Sequence, residues 1–327
     1  MNKKIILYSV IVILILLKSD VLAVSSNSRL VLEVLEIEPI RRSNIYIYDM
    51  NSEHLIQLTD TGREHEPSWS PEGTQVVYAS RENEGSTSSS IDIIDITANT
   101  TTIVVTSDQI VDEIGEIPIL SYPIWSSNGD YIAFLATFSS SNCEETQVTD
   151  IFMYSLNDNT LSRLTNNCAV EKDISWHPNE NIILYLSNTY MSNITEKENI
   201  QILTLNDMSL ISIENLLPSV RSPQWSHDGH YILFFGLSMQ WEIFVISSQE
   251  QDMNPLLNIS SLPANINPYQ LIPSFREING NTYIVASKGR TSHMQLYHYN
   301  LLTEELFSVN FTDLNVVYAQ LWLNTSP

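Results

Sequence analysis

Short apolar runs rich in β-branched and aromatic residues alternate with turn residues along nearly the whole chain, and helical periodicity is almost absent. After Trp69, for example, the runs cover 76–79, 91–96 and 102–105, and a Glu-Gly pair precedes the first of them. Glycine supplies the positive φ that a tight turn between two strands needs. The pattern therefore predicts an all-β protein built from hairpins.

A second pattern recurs on a period of about fifty residues. In its best copies an aromatic residue follows Pro-x and precedes Ser and a turn, as in Pro67-Ser68-Trp69-Ser70. The aromatic anchors are separated by 56, 51, 49, 50 and 47 residues, and they are Trp69, Trp125, Trp176, Trp225, Phe275 and Trp322. Such a period is typical of stacked four-stranded units, the blades of a β-propeller. We interpret the anchors as packing between blades rather than as ligand platforms.

The two ends of the chain suggest how many blades there are. Only three runs, at 30–35, 44–48 and 55–58, precede the first anchor, and one run at 317–323 follows the last full unit. Together they supply the four strands of one more unit. The sequence thus predicts a six-bladed β-propeller of four-stranded antiparallel blades. The C-terminal strand would join the N-terminal strands and close the ring, which removes open sheet edges.

The first 23 residues have the features of a signal peptide. Lys3 and Lys4 precede an apolar run at 5–17, and Val21-Leu22-Ala23 is a small-residue cleavage pattern. The run would be about 20 Å long as a helix, shorter than the roughly 30 Å of bilayer hydrocarbon. We therefore expect an exported protein, periplasmic or extracellular, with one propeller domain at 24–327 and no membrane span after cleavage. An uncleaved signal anchor is the alternative.

Export would allow the two cysteines to form a disulfide, because disulfides persist in oxidising compartments. In the predicted fold, Cys143 and Cys168 lie in two loops of one blade that belong to the same face. We predict a structural disulfide between them. Two unrelated buried thiols are the alternative.

The charge balance limits the class of partner. Fifteen Lys and Arg stand against 38 Asp and Glu, a formal net charge of -23. Nucleic-acid binding needs the opposite balance, so we exclude it and favour a basic partner. No cofactor or metal site is predicted, since the acids in the insertions lack the spacing of a calcium loop. We expect these acids to form a solubilising face, with calcium binding as the alternative; they are Glu82, Glu84, Asp112, Glu113, Glu116, Glu144, Glu145, Glu171, Glu196 and Glu198.

The repeat resembles that of TolB-type, WD-like β-propellers. Trp-Ser-Pro-Glu-Gly at 69–73, Asn-Ile-Tyr-Ile-Tyr-Asp at 44–49 and Gln-Leu-Thr at 57–59 carry the resemblance, and Arg163-Leu164-Thr165 is a further copy. TolB itself has an α/β domain ahead of its propeller, and only about six residues separate Ala23 from the first predicted strand here. We expect the propeller alone. The sequence also has no G-x-S-x-G nucleophile motif, which excludes an oligopeptidase-type enzyme.

Residues just ahead of each anchor strand should surround the mouth of the central channel. They mix acids, bases and aromatics, a combination that suits binding of a peptide or polar ligand. Ordinary solvated loop ends are the alternative reading. The predicted ligand or partner residues are His65, Glu66, Tyr122, Lys172, Asp173, Arg221, Ser222 and Tyr318.

Three functions follow from this surface. The first is a non-catalytic, monomeric module of the cell envelope or secreted space that binds a protein or peptide. The second is a carbohydrate hydrolase or lyase in which Glu66 and Asp173 act as acid and base. The third is a propeller with purely structural contacts in a larger envelope complex. Fold alone does not choose among them.

Overall fold

The computed structural model describes residues 29–36, 42–49, 52, 54–83, 86, 88–140, 143, 147–189, 197–214, 217–226, 228–237, 241–248, 253–258, 274–278, 281–287, 294–300, 306–311 and 316–322. From residue 249 onwards only strand backbones are described. The predicted signal segment lies outside the described residues, as do Glu84, Glu144, Glu145 and Glu196.

The regular secondary structure in the described part of the chain is almost entirely β-strand, with 24 strands, so the all-β prediction is confirmed. In the first half they are β1 (Arg29–Glu36), β2 (Arg42–Asp49), β3 (His54–Gln57), β4 (Glu64–Trp69), β5 (Gln75–Arg81), β6 (Ser89–Asp95), β7 (Thr100–Thr106), β8 (Ile119–Trp125), β9 (Tyr131–Ser139), β10 (Gln147–Ser155), β11 (Thr160–Arg163) and β12 (Ala169–Trp176). In the second half they are β13 (Ile182–Thr189), β14 (Lys197–Thr204), β15 (Ser209–Ile213), β16 (Ser219–Trp225), β17 (Tyr231–Leu237), β18 (Trp241–Ser247), β19 (Met253–Asn258), β20 (Ser274–Ile278), β21 (Asn281–Ser287), β22 (Met294–Asn300), β23 (Leu306–Phe311) and β24 (Val316–Trp322). A 3-10 turn at Ser107–Gln109 and the single-turn helix α1 (Val111–Ile114) follow β7.

The strands form antiparallel groups of four in chain order. β4 to β7, β16 to β19 and β20 to β23 are separate four-stranded sheets. β8 to β11 and β12 to β15 are two such groups, joined into one eight-stranded sheet by a single parallel residue pair, Thr149 with Val170. In each of these groups the first strand contains the anchor aromatic residue. The anchor is the last residue of β4, β8, β12 and β16, and it is Phe275 in β20.

The two ends of the described chain share a sheet. β24 lies antiparallel beside β1, with Arg29 opposite Trp322, and the sheet order is β24-β1-β2-β3. The last strand thus takes the first-strand position in a group whose other strands come from the start of the chain, as the count of runs predicted.

Anchor tryptophans pack between successive groups. Trp69 is buried in one cluster with Val31 and Ile47 of the preceding sheet and Val76 of its own. The same arrangement recurs in three further clusters, where Trp125 packs with Val77 and Ile93, Trp176 with Leu135 and Ile151, and Trp225 with Leu186 and Ile202. The side chains of Phe275 and Trp322 lie outside the described part of the chain.

The turn after each tryptophan has a repeated chemistry. The hydroxyls of Ser70, Ser126 and Ser226 each accept the backbone N–H that starts the next strand, at 2.9 to 3.1 Å. In the third copy His177 replaces the serine, and its Nδ1 accepts the N–H of Glu180 at 3.1 Å. Gly229 has φ +76° and a Cβ there would lie 2.2 Å from His177 Nε2, so both backbone conformation and space require glycine.

The Leu-Thr motifs also have one structural role. Thr59 Oγ1 accepts the N–H of Ile45 at 2.8 Å, and Thr165 Oγ1 accepts the N–H of Ile151 at 2.9 Å. Arg163 of the second motif pairs with Asp150, which is fully buried. These motifs hold the end of a group's fourth strand against its third strand.

The predicted disulfide between Cys143 and Cys168 is present, with its Cα atoms 5.4 Å apart. It links the connection between β9 and β10 to the loop between β11 and β12. No helix among the described residues is long and apolar enough to cross a bilayer.

Replacing both cysteines by serine should lower the free energy of unfolding by about 3 to 4 kcal/mol, because the bond closes a loop of 25 residues in the unfolded chain. Urea unfolding of oxidised protein and the double variant measures the difference. Wild-type protein under reducing conditions should match the variant. Identical midpoints for the variant and the oxidised protein would contradict the prediction.

Candidate functional site

The first strands of four groups share one irregularity. Pairing with the second strand is interrupted after His65, Ser121, Lys172 and Arg221, and resumes three residues later. The first unpaired residue of each bulge has a left-handed backbone, with φ 55° at Glu66, 50° at Tyr122, 52° at Asp173 and 47° at Ser222. Each lies three residues before its tryptophan. We call these four residues the bulge row.

The structure therefore places the predicted site residues differently from the sequence interpretation. The sequence predicted these residues in loops that precede the anchor strands. In the structure they lie within the first strands, at the bulges or directly beside them. His65, Lys172 and Arg221 immediately precede bulge-row residues. Tyr318 lies on β24 opposite Glu33, and its side chain is outside the described part of the chain. Bulges aim side chains out of the regular pleat, which a pattern of alternating residues does not reveal.

Carboxylates connect the bulge row from one group to the next. Glu66 Oε2 accepts the backbone N–H of Tyr122 at 2.7 Å, and Asp173 Oδ2 accepts that of Ser222 at 2.8 Å. A bulge leaves its N–H without a ladder partner, and a carboxylate satisfies such a donor with a charge-assisted hydrogen bond. These two acids therefore stabilise the junction between neighbouring groups.

Glu33 supplies the same contact where the row has no acid. In β24 the residue three positions before the tryptophan is Ala319, which has no side-chain acceptor. Glu33 Oε2 instead accepts the N–H of Glu66 at 2.9 Å, and its Oε1 lies 3.0 Å from His65 Nδ1. Glu33 is buried and lies opposite Tyr318, four residues before Trp322. The residues opposite the same position in four other first strands are apolar, namely Ala79, Leu135, Leu186 and Phe235.

A second set of junction contacts involves the third strands. Glu198 on β14 pairs with Lys172 and accepts the N–H of Val220 at 3.1 Å. Ser89 on β6 accepts the N–H of Leu120 at 2.8 Å in the same way. Both donors lie five residues before a tryptophan. Lys172 is therefore held by an acid of its own sheet.

Burial changes the proton affinity of several acids. It raises the pKa of the half-buried Glu66 to about 7; the neighbouring Glu33 adds to the rise and the N–H of Tyr122 opposes it. It also raises the pKa of Asp173, against the hydrogen bond from Ser222. Glu171, predicted among the solvated loop acids, instead lies on β12 with 1% of its surface exposed, and burial raises its pKa to about 8. A carboxyl group with a pKa near 7 can both take up and release a proton at neutral pH.

The sequence interpretation missed Glu33 and misplaced Glu171. An acid at a position that is apolar in the equivalent strands was the available signal for Glu33.

In the described part of the chain, no group of three or more His, Cys, Asp and Glu side chains is placed to hold a metal ion.

No protein-family model matches the sequence, and no curated protein is similar to it in sequence. Solved structures are similar in fold. TolB from Acinetobacter baumannii has a TM-score of 0.66 at 14% identity over 90% of this chain. A protein described as TolB from Agrobacterium tumefaciens has 0.57 at 13% identity, and covers 87% of this chain and 99% of its own. An oligogalacturonate lyase from Vibrio parahaemolyticus has 0.54 at 10% identity, over 81% of this chain and 70% of its own.

These likenesses show a TolB-like β-propeller fold, which supports the resemblance in the repeat motifs at the level of fold. The chain spans 66% of Acinetobacter baumannii TolB, just under two thirds of its length.

The hydrogen bond from the Ser222 N–H to the Asp173 carboxylate should stabilise the folded protein. Asp173→Ala should lower the free energy of unfolding by about 1 to 3 kcal/mol, because it leaves a bulge N–H without an acceptor. Asp173→Asn keeps an acceptor and tolerates a left-handed backbone, so it should stay within a few tenths of a kcal/mol of wild type. Chemical denaturation compares the two. Equal losses for both variants would show that the capping oxygen is not what stabilises the junction.

The raised acids should also make stability depend on pH. A folded-state pKa above the unfolded value near 4.5 means that the folded protein binds more protons between about pH 4.5 and 8. The free energy of unfolding should therefore fall as pH rises from 5 to 8. Glu171→Gln should flatten this decline, and the exposed Glu180→Gln should not. Unfolding midpoints at several pH values measure the slopes; a slope unchanged in Glu171→Gln would contradict the assignment.

Proposed function

We propose that this protein is an exported, monomeric, six-bladed TolB-like propeller, closed by β24 and β1, that binds a protein or peptide of basic character without catalysing a reaction. The binding surface is the bulge row with His65, Lys172 and Arg221 beside it. The disulfide and the predicted signal segment support export. The pairing of β24 with β1 supports closure.

One observation carries the binding proposal. Tyr122 is the only aromatic residue of the row, it has 48% of its surface exposed, and it holds a left-handed backbone that a bulky residue rarely adopts. Such a conformation costs roughly 1 to 3 kcal/mol, and residues held in it cluster at functional sites. Exposed tyrosine supplies rigid apolar area at low entropic cost, which suits recognition.

The charges beside Tyr122 define the partner. Its N–H lies against the Glu66 carboxylate, and Glu33 and Asp173 lie at neighbouring junctions. The raised pKa values of Glu66 and Asp173 mean that a nearby cation would relieve the cost of ionising them. A Lys- or Arg-bearing segment that places its side chain by Glu66 and its apolar part on Tyr122 fits this surface.

A carbohydrate lyase or hydrolase is the second candidate, because a carboxyl group with a pKa of about 7 suits acid–base chemistry. The fold of an oligogalacturonate lyase is also similar. Two features weigh against it. Glu66 and Asp173 are each engaged with a backbone N–H, and the first strand that carries Tyr122 lies between theirs in chain order.

Tyr122→Ala should weaken binding of a fluorescent peptide from a defined Lys- and Arg-containing library by about tenfold, since it removes the aromatic contact. Tyr231→Ala is the matched control, because Tyr231 is also 48% exposed and lies at the opposite end of a sheet, beside the turn after Trp225. Fluorescence anisotropy measures both.

Equal affinities for the two variants would remove the assignment. Turnover of an oligosaccharide by the wild-type protein, lost in Glu66→Gln, would favour the enzyme instead.

A further inference from the structure

The outermost strand of one group has an unusual edge. β15 pairs with β14 and with no other strand in the described part of the chain. Every second residue of such a strand directs its N–H and C=O away from its partner, where they form a template for another strand. In the sheet order β15-β14-β13-β12, this edge lies about 14 Å from the strand that carries Asp173. It is therefore a different surface from the bulge row.

The edge is apolar on both faces. Among the described residues eight large hydrophobic side chains are exposed, and three of them fall on this hairpin. They are Met208, 50% exposed, and Leu210 and Ile211, 54% and 46% exposed. Successive strand residues point to opposite faces, so Leu210 and Ile211 cover one face each. We call residues 208–213 the β15 edge.

The usual protection of a sheet edge is missing here. Edge strands are normally kept short or carry Lys, Pro or a bulge, which prevents pairing with other chains. β15 reads Ser-Leu-Ile-Ser-Ile, with no charge, no proline and no register shift against β14. By contrast, β11 is a four-residue strand that ends in Arg163. A solvent-exposed edge that lacks charge, proline and a bulge can accept an added strand.

Acids mark the two ends of the edge. Asp207 precedes it in the turn and Glu214 follows it directly. Hydrogen bonds from Ser209 hold the pKa of Asp207 below its ordinary value, so this exposed carboxylate is charged. The two acids are seven positions apart, at most about 23 Å in an extended chain.

The same acids decide which occupant fits. A second copy of the chain, paired antiparallel, would bring Asp207 of one copy towards Glu214 of the other, and each copy has a formal net charge of -23. Like charges facing each other across strands are destabilising. A partner segment with basic residues at both ends would be attracted by Asp207 and Glu214, whereas a second copy would be repelled by them.

We propose that the β15 edge binds an extended segment of another protein by strand addition, a segment of about seven residues with an apolar, β-branched centre and a Lys or Arg towards each end. Main-chain hydrogen bonds to β15 hold the segment, Leu210 and Ile211 contact its alternate side chains, and Asp207 and Glu214 fix its register.

A synthetic peptide tests the proposal directly. The probe is a fluorescein-labelled nine-residue peptide with alternating valine and threonine in the centre and a lysine pair at each end. It should bind the purified full chain in fluorescence anisotropy, and raising the salt from 50 to 300 mM should weaken binding several-fold, because the end contacts are ionic. Hydrogen exchange of the amides at 209–213 should slow when the peptide is bound.

Matched variants locate the site. Leu210→Lys and Ile211→Lys each add a charge that repels the peptide, so each should lose at least about tenfold in affinity. Ile103→Lys is the control, since Ile103 is an even more exposed isoleucine, at 61%, on the outer strand β7. Its affinity should stay within about twofold of wild type. Ser212→Lys, also at an exposed position of β15, serves if either apolar variant unfolds at a lower temperature.

Several results would overturn the proposal. They are undetectable binding at 1 mM peptide, equal loss in Ile103→Lys and Leu210→Lys, and equal affinity for a peptide with a central proline, which cannot pair as a strand. Preference for a version with glutamates in place of lysines would exclude the basic partner. Self-association of the wild-type chain that Leu210→Lys abolishes would assign the edge to a second copy instead.

Discussion

Burial of a tryptophan between successive groups of strands, seen at four junctions in the described part of the chain, is the interaction on which the rest of the structure depends. Each of Trp69, Trp125, Trp176 and Trp225 ends a first strand and packs on both its own sheet and the one before it. Large buried aromatic side chains of this kind typically contribute about 3 to 5 kcal/mol each. Because these contacts follow the order of the chain, each of the four groups is oriented by the group before it, and their first strands come to lie side by side.

That orientation creates the chemistry at the other end of the first strands. Once the tryptophans fix the spacing, the bulges three residues earlier fall next to one another, and Glu66 and Asp173 reach the backbone N–H of the next bulge. Neighbouring acids that are partly removed from water raise one another's proton affinity. Burial at this junction raises the pKa of Glu66 to about 7 and the neighbouring Glu33 adds to the rise, whereas the hydrogen bond from the Tyr122 N–H opposes it.

The two surfaces proposed for binding would recognise their ligands through different kinds of interaction. The bulge row offers an exposed aromatic residue beside carboxylates, so charge and a rigid side chain would select the ligand that we propose for it. The β15 edge offers unpaired backbone groups and apolar side chains, with charge only at its ends. An acidic chain favours basic partners at both, because long-range attraction increases the rate of encounter irrespective of where contact is made.

The contacts within the sheets explain why the same residue types recur at equivalent positions of the repeat. Serine after the tryptophan, glycine in the turn and threonine in the Leu-Thr motifs each satisfy a particular backbone N–H or φ angle, so they recur wherever that local geometry recurs. Glu33 follows the same logic by a different route. It accepts the N–H of Glu66, and Ala319, the β24 residue three positions before the tryptophan, has no carboxylate that could do so.

The sequence by itself determined the all-β class, the groups of four strands, the pairing of the chain ends and the disulfide, because these depend on local periodicity and on how often it repeats. It also selected Glu66, Tyr122, Asp173 and Ser222, with His65, Lys172, Arg221 and Tyr318, as binding residues because they precede the anchor strands, and that binding role stays a prediction. Only the tertiary structure decided that these residues lie in strand bulges, that two of them bond to the next sheet, that Glu171 is buried and that β15 presents an apolar edge. The reason is physical: a left-handed residue in a bulge, a buried acid and an unpaired edge are defined by neighbours distant along the chain, and no local pattern records them.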